Sequence, residues 1–124
     1  MEGKAVVLFK RENNILTEEL GSYEVDTGLQ FIQKAYVENN MCFIYLSTDK
    51  DVTDEQYNEI FDLYDMEKYA DLDVQIEEVE EYNPTWLVKF EFKDNHDYVE
   101  EKINLILSLH EKQIKDIYNK LGIE

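Results

Sequence analysis

Residues 85–92 carry their bulkiest apolar side chains at every second position. Trp86, Val88, Phe90 and Phe92 fall on one phase, with Leu87, Lys89 and Glu91 between them. Successive side chains of a strand point to opposite faces, so this spacing predicts a strand with one buried face and one mostly wet face. Burying four such apolar side chains is worth roughly 1.5–3 kcal/mol each before entropy is counted. A strand of this kind belongs near the middle of a core and needs a covering layer.

The C-terminal segment offers that layer. Ile103, Ile106, Leu107, His110, Ile114, Ile117 and Leu121 follow helical spacing, with Asn95 or Asp97 as the candidate cap and Gly122 as the stop. Leu105 and Leu109 lie off that stripe, so the helix is apolar over more than one face. Either the helix is wedged between the sheet and another helix, or its second stripe meets a partner chain. Thr53 and Gln56 have capping-box spacing ahead of Tyr57, Ile60, Phe61 and Tyr64, which predicts a second helix. Residues 66–72 extend it as a short kinked turn.

Elsewhere the chain reads mostly as strands. Residues 4–12 and 15–25 form a hairpin about Asn13-Asn14, with Gly21-Ser22 marking a bulge. Residues 41–47 form a dense apolar strand, and 73–82 a strand whose alternation slips at Glu77-Glu78-Val79. Asn83-Pro84 then makes a tight link into the alternating strand. Between the first hairpin and residue 41, Leu29, Ile32, Ala35 and Tyr36 share one helical face. Asp26 or Thr27 stands before them and Asn39-Asn40 after. The spacing predicts a helix over 27–39. The order is then ββαβαββα, an α+β fold: one domain over 1–124, with a mostly antiparallel sheet of about five strands covered by helices on one face.

The chain has 124 residues, 44% of them apolar, which suffices for one core. Twelve Lys and Arg against 29 Asp and Glu leave a net charge of −17. Nucleic-acid phosphates and anionic lipid are bound through basic patches, so neither is an expected partner. A single cysteine, Cys42, fits a reducing compartment. The apolar run Ala5 to Phe9 is too short for a signal-peptide core or a membrane span, and the expected location is cytoplasmic.

Motifs of chemistry are scarce. A Ca²⁺ loop starting at Asp49 fails, because its sixth position is Asp54 and its twelfth is Ile60. Cys42, His96 and His110 have no zinc-ligand spacing. Cys42 and His110 sit in apolar patterns and read as core residues rather than a nucleophile and its base. No Gly-rich phosphate loop and no Ser elbow is present. The expectation is a non-enzymatic domain with no catalytic residue, cofactor or metal.

Nine tyrosines suit protein contact, since Tyr pairs an apolar body with a polar tip. Tyr57, Tyr64 and Tyr69 beside acidic residues form a candidate docking face, and Leu105 and Leu109 a candidate homodimer contact. The expected role is a protein-binding domain with an unidentified protein partner. One alternative is an acidic decoy that mimics nucleic acid and inhibits a protein that binds it. That role needs carboxylates aligned on one face, with segments 49–65 and 77–81 adjacent. Another is a small-ligand module or enzyme, which needs a concave pocket beside His110 or Cys42.

The strings Leu20-Gly21-Ser22-Tyr23-Glu24-Val25 and Glu81-Tyr82-Asn83-Pro84-Thr85-Trp86, with the acidic helix between them, resemble an uncharacterised family of small acidic proteins from Gram-positive anaerobic bacteria. The resemblance implies a cytosolic bacterial setting and carries over no activity and no functional residue.

Overall fold

In the computed structural model, which describes residues 4–123, the alternating stretch is strand β6 (Thr85–Glu91). The strands before it are β1 (Ala5–Glu12), β2 (Ile15–Glu24), β3 (Ile32–Glu38), β4 (Met41–Ser47) and β5 (Gln75–Val79). The helices are α1 (Asp54–Leu63) and α2 (His96–Leu121), with 3-10 turns at Leu29–Phe31 and Met66–Leu72. The fold is α+β. Six strands rather than about five make one sheet, in the order β2-β1-β3-β4-β6-β5. Every pairing is antiparallel except β1 with β3.

The expected helix over 27–39 is a correction. Gly28 takes a left-handed conformation at φ 85°, which stops a helix from starting cleanly there. A Cβ at this position would sit 2.9 Å from the Leu107 side chain, so the close approach to α2 also needs glycine. Asn39 and Asn40 have φ of 53° and 64°. Two consecutive positive φ values make the tight turn that suits a hairpin, and β3 and β4 pair across it from Glu38↔Met41 to Ile32↔Leu46. Asn13 and Asn14, at 51° and 65°, do the same for β1 and β2.

Both helical ends read from the sequence are present. The Thr53 side chain accepts from the Gln56 amide, and the Gln56 side chain accepts from the Thr53 amide. Asn95 caps α2 by accepting from the Tyr98 amide, and Gly122 ends it at φ 69°. The irregularity expected at Gly21-Ser22 is a register shift, with Leu8 opposite Gly21 and Phe9 opposite Glu19. At Glu77-Glu78-Val79 the slip in alternation is the end of β5.

The core lies between the sheet and α2. Trp86, Val88 and Phe90 from β6, and Ile103, Ile106, Leu107 and Ile114 from α2, are buried together with Val6, Leu8, Ile44 and Leu46. With 26 residues, α2 is about 39 Å long at the usual rise, enough to cross the whole sheet. Its polar side chains hold the neighbouring segments in place. Asn104 donates to the Glu24 carbonyl and accepts from the Asp26 amide, while Gln113 accepts from the Asp65 amide and donates to its carbonyl. No helix among the described residues is long and apolar enough to cross a membrane.

Candidate functional site

On the helix side, the core encloses one polar chain. His110 Nε2 lies 2.9 Å from the Ser47 carbonyl, which can only accept. Nε2 therefore carries the proton, and Nδ1 accepts from the Tyr64 hydroxyl at 2.7 Å. The Tyr64 oxygen in turn accepts from Tyr69, 2.5 Å away. His110 is fully buried, and burial pushes its pKa down to about 4. Burial pushes the Tyr64 phenol well up and the Tyr69 phenol up as well. Neutral His and neutral Tyr fit this chain, and Trp86 stacks on Tyr64 with ring centroids 4.0 Å apart.

Two of the three tyrosines expected on a docking face are thus core residues. Tyr64 and Tyr69 are buried with their hydroxyls satisfied inside, Tyr64 by bonding His110 and Tyr69 by bonding Tyr64, and of the three only Tyr57 reaches the surface. The polar tip that suits Tyr to an interface suits it equally to a buried polar chain. Cys42 is also fully buried, and burial alone raises its thiol to about 12, which keeps it protonated. Leu109 is half-buried and packs on the core, while Leu105 is 46% exposed.

Tyr57 faces a different neighbourhood. Its hydroxyl donates to the Glu81 carbonyl and accepts from the Glu81 amide, and Asp51 accepts from the Asn83 side chain. These contacts bring the start of α1 against the link between β5 and β6. A groove of about 500 Å³ results, lined by Asp54, Tyr57, Asn58, Glu80, Glu81 and Tyr82. Among the described residues, His96, Asp97 and Glu100 also bring ligand-type atoms within 4.8 Å of one another. His96 Nε2 there already lies 2.9 Å from the Ser22 carbonyl.

The other face of the sheet carries a second set of aromatic side chains. Tyr36 and Leu87 are 4% and 6% exposed, yet neither belongs to the core under the helices. They are buried by their neighbours on the helix-free side. Register defines that side, because directly paired residues share a face. One row runs Lys34, Tyr45, Leu87, Glu77, and the next runs Tyr36, Phe43, Lys89, Gln75. Tyr36 and Phe43 stack at 5.0 Å. The Arg11 guanidinium lies 3.7 Å above Tyr36, Lys34 4.4 Å above Tyr45, and Lys89 5.9 Å above Phe43. Burial, together with the Tyr45 hydroxyl, raises the Tyr36 phenol to about 12. Arg11 also pairs with Glu38 at 2.9 Å and Lys89 with Glu77 at 3.8 Å. Farther out on β1 and β2, Val7 and Leu16 are 41% and 55% exposed.

This face was missed in the sequence because its residues come from four strands, one of them misread as helix. With β3 assigned as a strand, the alternation Lys34, Tyr36, Glu38 against Ala35, Val37 is the signal that finds it.

A family model described as a family of unknown function, DUF6762, matches residues 1–123. The chain belongs to that family. No curated protein and no solved structure matches it. The family membership places the whole chain in one group and leaves its activity open.

Proposed function

We propose that this DUF6762 domain works by binding a protein partner rather than by catalysis, and that the helix-free face of the sheet is its docking surface. One observation carries the proposal. A contiguous aromatic face, Tyr36, Phe43 and Tyr45, lies under a thin cover of Arg and Lys side chains, and among the described residues no second layer of secondary structure covers it. Contiguous apolar patches on soluble domains mark interaction sites, and aromatic residues with Arg are enriched at the centres of interfaces. Leu105 on α2 is the other candidate contact, but it is a lone exposed side chain beside half-buried Leu109. Area favours the sheet.

His110 and Cys42 are fully buried and held neutral, which argues against their acting as a base and a nucleophile. The net charge of −17 argues against nucleic acid and membrane surfaces as partners. The resemblance to small acidic proteins of Gram-positive anaerobes supports a bacterial cytoplasmic setting.

A photo-crosslinking residue tests the face directly. Placed at Tyr45 it captures a discrete protein adduct in the source cells, while the same probe at Glu59 on α1 captures none. Equal capture at both positions, or none at Tyr45, contradicts the proposal. A second role, as an acidic decoy for a nucleic-acid-binding protein, draws on the groove that joins Asp54 to Glu80 and Glu81. Loss of capture in a Glu80→Lys/Glu81→Lys variant, with Tyr45→Glu neutral, would move the function there.

A further inference from the structure

Resting on the docking surface above, we infer that its partner is a second copy of this chain, packed face to face across a two-fold axis. The row Lys34, Tyr45, Leu87, Glu77 crosses the four strands β3, β4, β6 and β5 in direct register. It begins with a cation and ends with a carboxylate. A two-fold axis parallel to the strands, between β4 and β6, reverses the row. Lys34 of each copy then stands over Glu77 of the other, and Tyr45 over Leu87. Such a patch is self-complementary, the condition that an isologous interface imposes.

Charge agrees with this occupant. The central face carries Arg11, Lys34 and Lys89 against Glu38, Glu77 and Glu91, three charges of each sign, while the whole chain carries −17. Two copies can therefore meet here without pressing one acidic surface on another. Lys34 enters none of the ion pairs among the described residues and sits over Tyr45, so its charge is available to a partner. About an axis between β4 and β6 the strands that overlap are β3, β4, β6 and β5, and with strands about 4.8 Å apart and about 3.3 Å per residue they offer roughly 400 Å² of face. Two faces bury roughly 800 Å², the size of a weak, reversible pair rather than an obligate one. The product is a two-sheet sandwich with the helices on its outer surfaces. Because both copies are acidic, screening by salt strengthens the pair.

Sedimentation equilibrium from 1 to 100 µM tests this. Wild type gives twice 14.8 kDa, and dissociation weakens as NaCl rises from about 20 to 300 mM. Lys34→Glu alone and Glu77→Lys alone each loosen the dimer about tenfold or more. The double swap Lys34→Glu/Glu77→Lys restores it, and Leu105→Glu leaves it unchanged. Circular dichroism confirms that each variant is folded. A monomer at 100 µM overturns the inference, as does failure of the double swap to restore the dimer. Loss of dimer in Leu105→Glu, or binding of a single-stranded oligonucleotide to the face at physiological salt, overturns it too. If the chain is monomeric but the probe at Tyr45 still captures another protein, the docking surface stands and only the second copy falls. If neither is seen, both fall.

Discussion

The two faces of the sheet use similar residues for opposite ends. Under the helices, Trp86, Val88 and Phe90 meet Ile103, Ile106 and Leu107, and even the polar atoms of His110, Tyr64 and Tyr69 find partners inside. On the other side, the charged ends of Arg11, Lys34 and Lys89 lie over the rings of Tyr36, Tyr45 and Phe43. Side chains of this kind can move aside for a partner without unfolding anything. A packed helix cannot. On the proposed reading, stability resides on one face and binding on the other.

Mutations should separate the two faces. The largest effect is expected at Trp86, whose ring is fully enclosed and stacked on Tyr64. Trp86→Ala costs about 3–5 kcal/mol in urea unfolding, whereas Tyr45→Ala, measured at a dilution where the chain is monomeric, costs under about 1 kcal/mol. Comparable losses at both sites would erase the distinction between the faces.

Acid should act on the helix side. The pKa of His110 lies near 4 in the folded chain and near the usual 6.5 unfolded. Between those values the unfolded chain binds the extra proton, so stability falls as pH drops through the window, by roughly 3 kcal/mol from this group. Above pH 6.5 the contribution is fully present. Two-dimensional NMR titration should show His110 protonating near 4 while His96, raised mainly by its contact with the Ser22 carbonyl, protonates above 6.5. Matching midpoints for the two rings would show that His110 is open to water.

Smaller losses follow from single atoms. Tyr64→Phe strands His110 Nδ1 and takes the acceptor from Tyr69, which should cost about 1–3 kcal/mol by thermal unfolding. Gly28→Ala combines a left-handed φ with a contact on Leu107, for a loss of about 1–2 kcal/mol. A neutral Gly28→Ala would remove the reason given for the missing helix.

How much of this was legible in the sequence depends on whether local chemistry had one meaning or two. The alternation at 85–92 and the stripe on α2 each fit a single period, and both elements form, but the second face of β6 is not wet as expected, since Thr85 and Leu87 on it are buried. Asn39-Asn40 fitted two. Asparagine tolerates the left-handed conformation that ends a helix and also the pair of positive φ values that turns a hairpin. The same dipeptide at 13–14 has one reading, because the run Ala5 to Phe9 before it is dense in β-formers and offers no helical spacing to compete. At 39–40 the helical spacing of Leu29, Ile32, Ala35 and Tyr36 hid the strand, whose polar Lys34 and Glu38 share the open face with Tyr36. Losing that strand lost the face, since no list of residues in one segment contains it. Strand order was likewise beyond reach, as β3 pairs with β1 in parallel at a single position, Lys10↔Val37.

Hydroxyl-radical footprinting read by mass spectrometry tests the division of labour most directly, since it reports both faces in one experiment. At about 1 µM, Phe43 and Tyr45 should take up label while Trp86 and Tyr69 stay protected. At about 100 µM the first two should become protected while Leu105 and Tyr82 remain labelled. Label on Trp86, or protection at Leu105 with Tyr45 unchanged, would contradict the assignment of folding to one face and binding to the other.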